Sequence, residues 1–229
     1  MSEKKLKNYL DKHSIAPPAV KSTRRPVILS DSKGTYLKSN ITEYHHQNIL
    51  WWCKGGAKIE DSYSWLKRNL AARLYEIGDI ALYIWIGTCN LTTKSGNTIG
   101  LTSTDNTTVD HIAQYIDKTE EFLSDFKQVK VTFLELPVYS IKSYNSYYST
   151  GDTDTKGNKQ QDINNNQQDN NNNQQTKTYK QQDEYLAYQI NLANEKIRST
   201  NLALNTHSPN FSFFLQARKQ HRVRRKNEV

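Results

Sequence analysis

Four short runs dense in β-branched and aromatic residues constrain this chain more than any other feature: 26–29 (PVIL), 48–53 (NILWWC), 79–86 (DIALYIWI) and 129–136 (VKVTFLEL). The first three are nearly continuous in apolar side chains, as strands covered on both faces must be. Between them lie segments with a helical period. Residues 59–77 place Ile59, Tyr63, Leu66, Leu70, Leu74 and Ile77 at steps of three and four, opened by Glu60 and Asp61 and closed by Gly78. Residues 109–126 repeat the pattern with Val109, Ile112, Ile116, Leu123 and Phe126, and a last helix is expected over 183–200 with Tyr185, Leu186, Gln189, Leu192, Ala193 and Ile197. Strand and helix in alternation predict a parallel sheet, because parallel neighbours need a crossover and the crossover lays a helix on the sheet. The expected fold class is therefore α/β, a flavodoxin-like three-layer α/β/α arrangement with a mostly parallel sheet.

With 229 residues, 35% of them hydrophobic, the chain has material for one core and spare length for tails or an insertion. The expected organisation is a basic arm over 1–24, an α/β domain over 25–148 and 183–216, and a basic tail over 217–229. Residues 149–182 are so rich in Asn and Gln that burial does not repay their ordering, and a disordered insertion is expected there. The net charge of +8 gathers at the two ends. Such arms are able to touch nucleic acid through a salt-sensitive attraction to phosphate, although a solubilising tail is the commoner case. Cys53 and Cys89 each end an apolar run without metal-ligand spacing, which suits reduced thiols and a cytoplasmic location. The N-terminus lacks a signal-peptide core and the run 80–86 is too short to span a bilayer, so no membrane partner is expected. Neither a cofactor nor a metal site is expected. His45, His46 and His111 read as surface or boundary residues and His221 as solvated. Trp51, Trp52, Trp65 and Trp85 read as core packing rather than base-stacking platforms.

Ligands of parallel sheets bind beyond the carboxyl ends of the strands, so chemistry is sought in the segments that follow the runs: SDSKG, CKGGAK and GTCNLT. Ser32, on a tight turn after a buried strand and followed by Gly34, is placed as a nucleophile would be, with its own N–H available to an oxyanion. The plainer reading makes Ser32 a turn or helix N-cap serine.

Ser30-Asp31-Ser32, with Ser30 in place of the glycine, resembles the Gly-Asp-Ser block of the SGNH hydrolase superfamily, also called GDSL esterases and lipases, and the chain resembles in particular the esterase-like domains found in mobile genetic elements. The resemblance follows the order of elements from about 26 to 200. It implies Ser32 as the nucleophile. The oxyanion-hole glycine of the second block corresponds to Gly56, with Gly55 as the neighbouring alternative. The third block, Gly-x-Asn-Asp, is matched by Gly87-Thr88-Cys89-Asn90, so Cys89 stands at the oxyanion asparagine and Asn90 at the aspartate; Asn90 is the side chain left to help hold the oxyanion. The final Asp-x-x-His block is matched by Leu204-Asn205-Thr206-His207, giving His207 as the base and Leu204 where the orienting acid belongs. Loss of that acid can cost about 10⁴-fold in rate, roughly 5–6 kcal/mol. The function implied is an SGNH-hydrolase-like domain, degenerate or weakly active toward small ester or acetyl substrates. The alternative is a mobile-element accessory protein that binds nucleic acid through its basic ends. The sequence leaves the oligomeric state open.

Overall fold

The computed structural model describes residues 23–41, 48–150 and 165–209. In chain order the elements are β1 (Arg25–Ser30), α1 (Ser32–Asn40), β2 (Leu50–Cys53), α2 (Ile59–Ile77), β3 (Ile80–Trp85), the single-turn α3 (Thr88–Leu91), β4 (Thr92–Ser95), β5 (Thr98–Leu101), α4 (Thr107–Ser124), β6 (Val129–Phe133), α5 (Ile141–Thr150) and α6 (Asn165–Ala203). Four strands form one sheet in the order β2-β1-β3-β6, every pair parallel, and β4 with β5 makes a separate hairpin. The α/β class and the parallel sheet with flanking helices are as the alternation of patterns predicts.

Burial explains the sheet. Ile80, Leu82 and Ile84 of β3 are buried, as are Val27 and Leu29 of β1. Against them pack Leu66, Leu70 and Leu74 of α2 and Ile112 and Ile116 of α4, while Leu186, Ile190 and Ile197 come from α6. With buried Ala193 counted on α6, each helix spaces these residues at three or four positions, as one apolar stripe.

The register decides where chemistry can occur. Ser30 lies level with Cys53 on β2 and with Trp85 on β3, so these three strands end on one line. The segments that follow them, SDSKG, CKGGAK and GTCNLT, therefore leave the sheet at one height on one rim.

Several elements carry little periodic signal. Helix α1 buries only Gly34, and it forms because the Asp31 side chain caps it, accepting the Lys33 N–H at 2.9 Å. The β4–β5 hairpin turns at Gly96, whose φ of +56° is a conformation that glycine adopts without strain. Helix α6 begins at Asn165, inside the stretch whose composition predicts disorder. Its C-terminal part is tied down by tertiary contacts. Tyr179 packs on the core, Gln182 Oε1 accepts from the Leu101 N–H at 3.0 Å, and the Asp183 carboxylate accepts from Ser140 Oγ at 2.7 Å and the Ile141 N–H at 2.6 Å. Residues 151–164, most of both charged ends (1–22 and 210–229), His45, His46 and His221 lie outside the described residues, and the expected nucleic-acid contact falls on those ends. Among the described residues no helix is long and apolar enough to cross a membrane.

The outer edge of β6 is closed by side-chain amides. Asn201 Oδ1 accepts from the Phe133 N–H at 2.9 Å while its Nδ2 donates to the Phe133 carbonyl at 2.7 Å. Asn194 repeats the arrangement on Leu136, at 2.7 and 3.0 Å. Two residues of α6 thus do for the edge what a further strand would do. We expect Asn201→Ala to strand two buried backbone groups and to cost about 2–4 kcal/mol, read as a lower urea midpoint at unchanged slope; Leu202→Ala, at a side chain 75% exposed, is the control expected near zero.

Candidate active site

The site is built around Asp31, which is fully buried at the end of β1. Besides capping α1 through Oδ1, its carboxylate accepts through Oδ2 from Thr88 Oγ1 at 3.0 Å, from Cys89 Sγ at 3.5 Å and from the Lys33 ammonium. The same ammonium donates to Thr88 Oγ1 and lies 5.6 Å from the centre of the Trp85 ring. One carboxylate therefore joins the first loop to the third. The second loop is joined to the first by the Lys54 N–H, which donates to the Ser30 carbonyl at 3.0 Å.

Packing fixes the turn as firmly as hydrogen bonding does. A Cβ at Gly34 would lie 2.6 Å from both Cys53 Sγ and Ser30 Cβ, so only glycine lets α1 start this close to β2. Ser30 Oγ donates to the Trp85 carbonyl at 3.0 Å and accepts from the Gly34 N–H at 3.2 Å.

Ser32 is the exception. It is the first residue of α1 and half-buried. Its hydroxyl and its N–H make no hydrogen bond among the described residues, although Ser30, Asp31, Lys33 and Gly34 are all engaged. The capping role that a serine at such a turn often takes has gone to Asp31. The unpaired N–H sits at the positive end of α1, where negative charge is favoured.

The other sequence-derived candidates fall as follows. Gly56 has φ +72° in the turn closed by Ala57 N–H to Lys54 O at 3.2 Å, and its surroundings are open. Gly55 lacks the positive φ, so Gly56 is the position at which glycine relieves strain. Asn90 is buried and spent on α2: Oδ1 accepts from the Ile59 N–H at 3.0 Å and Nδ2 donates to Glu60 Oε2 at 2.8 Å. As it stands it braces the first turn of α2 rather than offering a free oxyanion donor. His207 is exposed and makes no hydrogen bond to Ser32. Its neighbour Ser208 accepts from the Glu135 N–H at 2.9 Å beyond β6, and β3 separates β6 from β1, two strand spacings or about 10 Å. The pairing of His207 with Ser32 implied by the resemblance is absent here, because the chain after α6 turns back along the β6 edge instead of crossing the rim.

Cys89, at the expected oxyanion position, is a half-buried thiol that donates to the Asp31 carboxylate. Burial, then the negative charge of Asp31, push it up to about 11. Burial also raises Cys53. Tyr139, which donates to the Thr88 carbonyl at 3.2 Å, is raised by burial as well.

Three features of this rim escaped the sequence reading. His111 Nε2 lies 3.2 Å from Glu60 Oε2, so this histidine has an acid partner rather than being only a boundary residue. Burial alone would raise Glu60, but its own backbone N–H, Asn90 and His111 together hold it below its ordinary value. Glu135 is buried, with one carboxylate oxygen 3.1 Å from Arg198 and the other without a partner among the described residues. Trp85 Nε1 donates to the Glu135 carbonyl at 3.1 Å, tying the end of β3 to that of β6. Only the Glu60 pairing left a trace in the sequence, as acid near the start of a helix. Among the described residues no group of three His, Cys, Asp or Glu is placed to hold a metal ion.

No family model and no curated protein matches the chain. Among solved structures it is similar to the lipase/acylhydrolase from Enterococcus faecalis, at 10% identity over 85% of this chain and 80% of that one, with a TM-score of 0.42. It is also similar to a gut microbial diltiazem-metabolizing enzyme, at 11% identity over 94% of this chain but 42% of that one, with a TM-score of 0.49. Likeness at this level carries no activity across, and the functional reading rests on the site.

The raised thiol has a consequence for stability. A thiol of ordinary pKa, near 9.0, loses its proton in the unfolded chain before folded Cys89 does at about 11, so the folded state holds the proton more tightly. The stabilisation is complete below pH 9 and is lost as pH rises toward 11. We expect the stability difference between wild type and Cys89→Ala, from urea unfolding at pH 8, 9.5 and 10.5, to shift steadily against the wild type; a constant difference would contradict the assignment.

Proposed function

We propose that this chain is an SGNH-hydrolase-like domain for small ester or acetyl groups, with Ser32 as its nucleophile. One observation carries the reading: in a turn where the neighbouring residues are all engaged, the serine makes no hydrogen bond through its hydroxyl or its N–H among the described residues, on the carboxyl rim of a parallel sheet. In this reading an acyl carbonyl sits over the start of α1. Ser32 Oγ attacks the carbonyl carbon and its proton passes to solvent, the oxyanion being held by the Ser32 and Gly56 N–H groups beside the positive end of α1; collapse breaks the ester C–O bond, the alcohol leaves with a proton from water, and a second water then cleaves the acyl-Ser32 ester to release the acid and restore the hydroxyl. Asp31 is not the base, because its carboxylate is held by Lys33, Thr88 and Cys89. With no histidine bonded to Ser32 among the described residues, the reaction is slow. Subtracting the base and its acid from such a site leaves about 10³–10⁴-fold over water from oxyanion binding and orientation.

Incubation with a fluorophosphonate probe tests this by intact mass and peptide mapping. The expected result is one adduct, on Ser32, forming over hours and absent from Ser32→Ala. An unmodified protein, or an adduct that survives the substitution, would overturn the reading.

A further inference from the structure

A second feature of the molecule begins at the same rim. Between β2, the outermost strand, and α2 lies an open cleft of about 360 Å³ whose upper end is bounded by Ser30 and Lys54, two residues from Ser32 and from Gly56 respectively. It descends along α2 from Asp61 to Arg73, about 18 Å at the rise of an α-helix. Such a volume lies at the small end of ligand sites, about 300–1,000 Å³.

Its lining is unlike a strand edge left over from packing. Trp51 and Trp52 of β2 and Trp65 of α2 line it, all three half-buried, with the Trp52 and Trp65 rings 5.0 Å apart and tilted by 51° to each other. Lys54, Arg68 and Arg73 add three cations against one acid, Asp61. That acid is already used, accepting the Lys58 N–H at 3.0 Å. Arg73 pairs with the exposed Glu76 at 3.1 Å. Arg68 spends only Nε, on the Ser64 carbonyl at 3.1 Å, and its terminal nitrogens make no hydrogen bond among the described residues. The cleft thus combines indole faces, which favour a flat ring, with a guanidinium fork that matches carboxylate or sulfonate.

We infer that this cleft is a binding subsite for a flat aromatic group carrying an anion, of the aryl-carboxylate class, with the rest of the ligand directed toward the Ser32 rim. The inference deepens the hydrolase-like reading by naming a ligand class, and rests on that reading only for what becomes of the ligand once bound. Binding itself needs Trp65 and Arg68 rather than Ser32.

Full-length Ser32→Ala protein, titrated with naphthalene-2-sulfonate and with neutral naphthalene-2-sulfonamide, separates the two claims. Tryptophan fluorescence reports binding, and Kd is compared at low and high salt. We expect saturable quenching with the sulfonate bound about tenfold more tightly than the sulfonamide. Adding Arg68→Gln, at an exposed position whose folding is checked by circular dichroism, should erase that preference while leaving the sulfonamide affinity unchanged. Absence of saturation, equal affinity for the two probes, or a preference that survives Arg68→Gln would overturn the inference. An unlabelled Ser32 alongside intact sulfonate binding would remove the nucleophile and leave the subsite standing.

Discussion

The Asp31 carboxylate is the constraint on which the rim depends. A buried anion is tolerated only when its oxygens are paired, and Asp31 meets that condition by drawing donors from two loops: the backbone and ammonium of Lys33 from one, Thr88 and Cys89 from the other. The level ends of β1, β2 and β3 bring those loops within reach, and the carboxylate joins the first to the third. Gly34 adds the steric half of the same constraint, since α1 can abut β2 only where no side chain intervenes. Rigidity around Ser32 is therefore a consequence of satisfying its neighbour.

That arrangement gives the serine its character. Its hydroxyl is neither a cap nor a buried bridge, because Asp31 has taken the first role and Ser30 the second. Its N–H lies at the positive end of α1, a setting that favours negative charge, and among the described residues no base is bonded to it. A histidine–carboxylate pair, His111 with Glu60, belongs to a different cluster, built on Asn90 and the first turn of α2. The Trp-lined cleft begins beside the same turn. The rim thus sets an unpaired serine near a cleft, with no histidine bonded to that serine among the described residues.

Much of the fold was legible because it rests on burial. The strand runs and the stripes of α2 and α4 announce themselves through apolar spacing, and the loops that follow the strands were placed by topology alone. Helix α1 was not legible, since its stability comes from one cap and one close contact rather than from an apolar face. Nor was the amide closure of β6, because Asn194 and Asn201 read as polar helix surface until the partner backbone is known. At the site, the turn positions of Ser32 and Gly56 were legible in the sequence, not their chemistry. Asn90 and Cys89 did not keep their expected roles: which acceptor an amide or thiol finds depends on how the third loop leans on the first, and that is set by Asp31. His207 missed Ser32 because the chain beyond α6 runs beside β6, where the Glu135 N–H holds Ser208.

The claim that Asp31 joins the loops is tested most directly by a double-mutant cycle on Asp31→Asn and Thr88→Val, read by urea unfolding. Direct coupling through the 3.0 Å hydrogen bond predicts a non-additive cycle, with an interaction energy of at least about 1 kcal/mol. Additivity within about 0.3 kcal/mol would mean that the two loops are held independently, and the account of the rim would fail.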